Sequence, residues 1–342
     1  AKSATAKAQA ATFKSSFAWP KAARGATVDT YHGVKVADPY RWLEDPDAAA
    51  SRSWIAAQNQ LFFGWLKKIP ARDRIRDRLR TLWNYERYGV PRQRGGKYFY
   101  LKNNGLQNQS VLYVADKLDG PAKVLLDPNA LSKDGTVALK GAYFTKDGKF
   151  VAYQLSASGS DWAEIRVRDV TTGKDLPDHI KWVKFSGASW RQDGSGFYYA
   201  RYDAPKPGQK LKGANYFQKL YFHKIGTQQG EDTLVYERKD HKNWGFSAHV
   251  SDDDKWLIIS VWSGASSRNQ IFVQALASAA KKSKRRRRKR RKGPKGGVAK
   301  SSPVVELITG FTHEYEFIGN EGNKLWFRTD KGAGRGKIIE LN

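Results

Sequence analysis

Asp147-Gly148-Lys149-Phe150-Val151-Ala152-Tyr153 reads as a tight turn feeding an apolar-aromatic strand, and the chain repeats it. The other copies are Gly95-Gly96-Lys97-Tyr98-Phe99-Tyr100 and Asp193-Gly194-Ser195-Gly196-Phe197-Tyr198-Tyr199, then Asp253-Asp254-Lys255-Trp256-Leu257-Ile258 and Glu321-Gly322-Asn323-Lys324-Leu325-Trp326-Phe327. Gly, Asp and Asn supply the turn, and the period-two apolar run that follows is a strand signal. A second strand follows each of the first four turns: Ser110-Val111-Leu112-Tyr113-Val114, Ile165-Arg166-Val167-Arg168, Lys219-Leu220-Tyr221-Phe222-His223 and Gln270-Ile271-Phe272-Val273. Repetition at about 50 residues is the mark of a β-propeller, whose blades bury their faces only against one another. Turn signals at Thr172-Gly173-Lys174 and Lys224-Ile225-Gly226-Thr227 are expected to separate one unit from the next.

Outward from the repeats, three parts emerge. Residues 1–27 read as a flexible tail, rich in Ala, Ser and Lys at its start. Residues 28–84 read as a helical N-terminal segment. Trp54, Ile55, Leu61, Phe62 and Trp65 fall at helical spacings until Pro70, and Ile75, Leu79 and Leu82 share one face of a second, charged helix. Residues 85–342 read as the propeller, interrupted by insertions at 202–217 and, in a low-complexity basic stretch, at 275–303. The fold class is therefore mainly β: a partial propeller after a short helical segment. Seven blades at about 50 residues need about 350, and the roughly 260 residues after Tyr85 suffice for about five.

Composition removes several chemistries. Cys is absent, which excludes disulfides, thiolate metal sites and a Cys nucleophile. Met is absent even at position 1, so the chain is expected to be processed, trimmed or excised from something longer. No apolar run reaches the ~18 residues of a membrane helix. Of the net charge of +28, residues 281–300 contribute 13 Lys or Arg without an acid. Lys284, Arg285, Arg286, Arg287, Arg288, Lys289, Arg290 and Arg291 are accordingly candidate polyanion-binding residues, with a solvated loop extension as the plainer reading.

No catalytic constellation is present in the residues themselves. The nearest string to a Gly-x-Ser-x-Gly elbow, Gly187-Ala188-Ser189-Trp190-Arg191, ends in Arg and precedes no helical pattern. The six histidines show no ligand spacing, so neither a metal nor a cofactor is expected. The acidic cluster Glu44-Asp45 with Asp47 fits a position near a helix N-terminus.

Tyr31-His32-Gly33, Asp38-Pro39-Tyr40-Arg41-Trp42-Leu43-Glu44-Asp45-Pro46 and Ala57-Gln58-Asn59 resemble the N-terminal segment of the prolyl oligopeptidase family. Asn104-Gly105-Leu106-Gln107-Asn108-Gln109, Leu126-Asp127-Pro128-Asn129, Asp134-Gly135-Thr136-Val137-Ala138-Leu139, Leu155-Ser156-Ala157-Ser158-Gly159-Ser160-Asp161-Trp162 and Gln218-Lys219-Leu220-Tyr221 continue it in the family's order. The resemblance implies a serine peptidase, cytoplasmic or alternatively periplasmic or secreted, that cuts short peptides after proline. It also implies a propeller that admits substrate to an α/β-hydrolase domain carrying the triad. That domain is expected to be missing here, leaving this chain inactive alone. Phe185 matches a cavity aromatic that touches peptide, though blade packing explains it equally. Trp244, Gly245 and Ala265 fall at further candidate cavity positions; Gly245 and Ala265 are smaller than in better-known members, which implies a larger pocket or altered specificity. The expected partners are a short peptide and the missing hydrolase domain, or a chain covering open blade edges. The alternative is a non-catalytic propeller scaffold binding proteins or polyanions through the basic loop.

Overall fold

The repeated turns owe their shape to a carboxylate folding back on its own backbone. Asp147 Oδ1 accepts hydrogen bonds from the Lys149 amide (3.0 Å) and the Thr145 hydroxyl (2.7 Å), and Thr145 Oγ1 accepts from the Phe150 amide. Asp253 repeats the arrangement with Lys255 and Ser251, and Asp193 with Ser195. The residue after each Asp is left-handed: Gly148 at φ 67°, Gly194 at φ 70° and Asp254 at φ 61°. Glycine takes that conformation freely, and Asp is among the few other residues that tolerate it.

The computed structural model describes residues 18–277 and 301–342. They divide into two units: 18–82 with 207–212, and 83–206 with the remainder. The smaller unit opens on a hairpin, Val28–Tyr31 with Val34–Ala37, which the helical reading of this segment did not anticipate. His32 and Gly33 at its tip both have positive φ, the geometry two-residue hairpins require. Arg41 then pairs with Asp29 and Asp38. Helices α1 (Ala49–Leu66) and α2 (Arg72–Trp83) follow on either side of Pro70. Lys212 pairs with Asp45 at 2.6 Å, which holds the Asp45 carboxyl below its ordinary range.

The larger unit consists of antiparallel blades. The first pairs Arg92–Arg94 and Arg87–Tyr88 with Lys97–Asn103, then Val111–Ala115 and Ala122–Leu126. The second runs Val137–Phe144, Phe150–Ala157, Ala163–Asp169 and Asp175–Val183. The third takes Ser189–Trp190, Gly196–Arg201, Lys219–Lys224 and Thr233–Tyr236. The fourth takes Trp244–Val250, Trp256–Ser263, Asn269–Ala275 and Val305–Ile308. The fifth has three strands, Tyr315–Glu321, Lys324–Thr329 and Lys337–Leu341. Each repeated turn joins the first and second strands of a blade. The turns at Thr172-Gly173-Lys174 and Lys224-Ile225-Gly226-Thr227 join third and fourth strands instead of separating blades, so that expectation is corrected.

Alternation sends successive side chains of one strand into two different seams. Val151 and Tyr153 pack with Phe99, Leu112 and Leu126 of the first blade, whereas Ala152 joins Ile165, Ile180, Phe197 and Tyr199 toward the third. Likewise Leu257, Ile259 and Val261 pack with Phe246, Leu220 and Phe272, while Ile258 joins Tyr315, Leu325 and Phe327. Four apolar seams thus bind five blades. Among the described residues, no helix is long and apolar enough to cross a membrane.

Candidate functional site

Phe185 sits between the last strand of the second blade and the first of the third. Its backbone is left-handed at φ 56°, and its ring is 55 % exposed. A left-handed L-residue costs roughly 1–2 kcal/mol, so the surroundings must impose it. They do so through two buried glutamines and the half-buried Ser186. Gln218 Nε2 donates to the Lys184 carbonyl (2.8 Å) and Gln154 Nε2 to the Ser186 carbonyl (2.9 Å). Ser186 Oγ accepts from the Ala200 amide (2.8 Å), and Gln218 Oε1 accepts from the Phe246 amide (2.6 Å). The peptide units flanking Phe185 are therefore fixed and its ring is held outward.

The exposed ring has aromatic company. Trp262 meets it edge-on with centroids 6.0 Å apart. The Lys184 ammonium lies 5.2 Å from the Phe185 centroid and 5.1 Å from that of Trp162, and Trp162 packs edge-on against Trp182 and Tyr202. Burial pushes the Tyr202 hydroxyl up to about 12, so it stays neutral. Cation–π contact of this kind holds Lys184 in place at the end of the aromatic row.

The structure sorts the sequence candidates. Gly245 belongs to the row because it faces Trp262 across the strand pair, and a Cβ built on it would lie 2.0 Å from the indole. The space beside position 245 is occupied by the Trp262 indole. Ala265 is exposed in the turn after Ser263, at the tip of the hairpin that carries Trp262. Trp244 points the other way. It stacks on His241 at 3.9 Å, lies under the Arg238 guanidinium and packs into the seam with the third blade. The candidates Lys284 to Arg291 lie outside the described residues. Sequence reasoning missed Trp262, Trp162, Lys184, Gln154 and Gln218. One signal for Trp262 was available, because a Gly inside an alternating strand marks close approach by a neighbour.

Another cluster, His223 with Asp178 and Asp232, resembles catalytic machinery but is fully buried. Its neighbouring hydroxyl is the Tyr199 phenol, which donates to Asp232 at 2.6 Å. No group of three His, Asp or Glu side chains among the described residues is placed to hold a metal ion.

Comparison with known proteins follows the same lines as the fold. Residues 20–342 match the family model described as prolyl oligopeptidase, N-terminal beta-propeller domain. The chain is 35 % identical to the prolyl endopeptidase of Elizabethkingia meningoseptica over 322 residues, covering 94 % of this chain and 42 % of that protein. It is 31 % identical to prolyl oligopeptidase A of Amanita bisporigera, covering 95 % and 44 %. Among solved structures, prolyl oligopeptidase B from Galerina marginata, bound to a 35mer hydrolysis and macrocyclization substrate, superposes with a TM-score of 0.78 at 28 % identity, covering 94 % of this chain and 45 % of that one. The chain spans less than half the length of these relatives. By its matched residues and by its blades, it belongs to the prolyl oligopeptidase family and comprises the N-terminal propeller part of it.

Proposed function

We propose that this chain admits and selects short proline-containing peptides for a serine-peptidase domain that it does not itself contain. The observation that carries the reading is Phe185. An exposed aromatic ring is held in a costly backbone conformation by the buried Gln154 and Gln218 and the half-buried Ser186. The flat ring beside it, Trp262, offers a surface on which a pyrrolidine ring packs with little loss of conformational freedom, since proline is already rigid. Lys184, ion-paired with Asp161 at 3.8 Å, closes the end of the row.

The test is a titration of the chain with a short proline-containing peptide and with its Ala-for-Pro counterpart, followed by tryptophan fluorescence. The proline peptide is expected to perturb the signal at lower concentration, and Phe185→Ala to weaken that response about tenfold. Equal responses to the two peptides would refute the selection role. In a parallel assay on a proline-containing chromogenic peptide, the chain alone is expected to show no turnover. Turnover sensitive to a serine-directed inhibitor would overturn the assignment of catalysis to another domain.

A further inference from the structure

Four blades also enclose a cleft of about 880 Å³, lined by their first strands and by the turns that follow. Its wall includes Arg92 and Arg94 of the first blade, Tyr143 and Lys146 of the second, and His249 and Asp252 of the fourth. Several cations of this unit are neutralised: Arg168 pairs with Asp175, Arg191 with Asp254 and Lys219 with Asp203. Three at the cleft are not. Lys146 Nζ donates to the Asp252 backbone carbonyl at 3.1 Å, Arg94 donates to the Gln93 carbonyl, and neither these two nor Arg92 forms an ion pair among the described residues. Among the described residues, Asp252 is the single carboxylate in the lining.

Two further groups complete the chemistry. The Tyr143 ring rests against Gly187 and Gly141, where any Cβ would lie within 2.4 and 2.7 Å of its hydroxyl. Those glycines leave room for the phenol at the cleft wall. Burial raises the Tyr143 hydroxyl, so it remains a neutral donor near Arg92. Partial desolvation lowers His249, which stands exposed on the cleft wall.

From this convergence we propose that the cleft is an oxyanion site that takes the carboxylate or phosphate group of a small ligand. Arg guanidinium forks match both groups in bidentate geometry, and Tyr143 offers a further hydrogen bond. The volume falls within the ~300–1,000 Å³ of ordinary small-molecule pockets. No residue of the Phe185 row lines this cleft, and the proposal does not depend on the peptide reading.

Calorimetry on the full chain, at about 150 mM salt to screen long-range attraction, tests it. The probes are inorganic pyrophosphate and a short glutamate-containing peptide with a free C-terminus. Arg92→Gln/Arg94→Gln is expected to weaken binding at least tenfold. A variant with Lys284, Arg285, Arg286, Arg287 and Arg288 changed to Gln is expected to retain it. The probe that binds more tightly identifies the phosphate or the carboxylate source. Circular dichroism confirms folding; if the double Gln variant unfolds, Arg92→Lys/Arg94→Lys, which keeps the charge but removes the fork, must show the loss. Unchanged affinity in the folded variant, loss confined to the tract variant, or no binding of either probe at millimolar concentration overturns the proposal.

Discussion

At the scale of single residues, position 245 shows how a side chain is dictated from across a strand pair. Gly245 lies opposite Trp262, and its missing Cβ is what lets the indole sit flat between the strand and the Phe185 ring. Gly245→Val is expected to cost about 2–3 kcal/mol, as overpacking does. Trp262→Leu in the same background should recover most of that loss, because the smaller side chain vacates the space. Urea unfolding of the two single variants and the double variant measures the coupling. Additive costs would mean that the two residues do not compete for one volume. The sequence made Phe185 legible, since it stands in a string that resembles its family's. Trp262 was not legible, because its partner is set by strand register, and register follows from turn geometry and burial that no single string displays.

Elements carry the next level of constraint, and the repeated turn illustrates it. In the fourth blade the left-handed position is Asp254 instead of Gly, and its carboxylate reaches back to the third blade. Arg191 binds it through Nε (2.9 Å) and Nη2 (2.7 Å), and the Gln192 amide donates to it at 3.0 Å. Burial would lower the Arg191 guanidinium, but the hydrogen bond and charge of Asp254 hold it above its ordinary range. Asp254→Ala leaves that cation mostly buried without its carboxylate and places a Cβ residue in a left-handed turn. A loss of about 3–5 kcal/mol is expected. Asp254→Gly removes the same ion pair without the backbone penalty and should be about 1 kcal/mol less damaging. Thermal unfolding of both separates clamp from conformation; identical losses would show that the backbone term is negligible. The turn itself was plain in the sequence, because Asp-Gly-Lys before an apolar run leaves few alternatives. Its role as a joint between blades was hidden. The hairpin at residues 28–37 was equally hidden, since Val-Asp-Thr-Tyr and Val-Lys-Val-Ala are too short to outweigh the helical segments that follow.

For the molecule as a whole, the blade pattern was legible because every seam needs apolar residues on both faces of its strands, and that requirement repeats. What joins the blades by charge was not, since Asp178 stands 45 residues before the His223 it binds. In the structure His223 is fully buried between the second and third blades. Its Nδ1 contacts Asp232 at 2.6 Å and its Nε2 contacts Asp178 at 2.9 Å. The Gly226 amide donates to Asp178 Oδ1, while Asp178 Oδ2 is buried without a hydrogen-bond partner. Burial alone would lower the imidazole. The hydrogen bonds and charges of Asp178 and Asp232 outweigh it and hold His223 up at about 9, against 6.5 in the unfolded chain. A group whose pKa is raised by folding stabilises the fold fully below its unfolded value and loses that contribution as pH rises through the folded one. The seam between these blades should therefore be strongest below pH 6.5 and weaken between about 6.5 and 9, by on the order of 3 kcal/mol. The +28 net charge acts in the opposite sense, because alkali relieves repulsion, but Lys and Arg release protons mainly above this window. Urea unfolding at intervals from pH 6 to 10 should show the decline. His223→Gln should be less stable at pH 6 by about 3–5 kcal/mol, because two buried carboxylates lose their cation. Its stability should then be flat where the parent's falls, and a parent curve that is flat or rising across that window would remove His223 as the charge holding the seam.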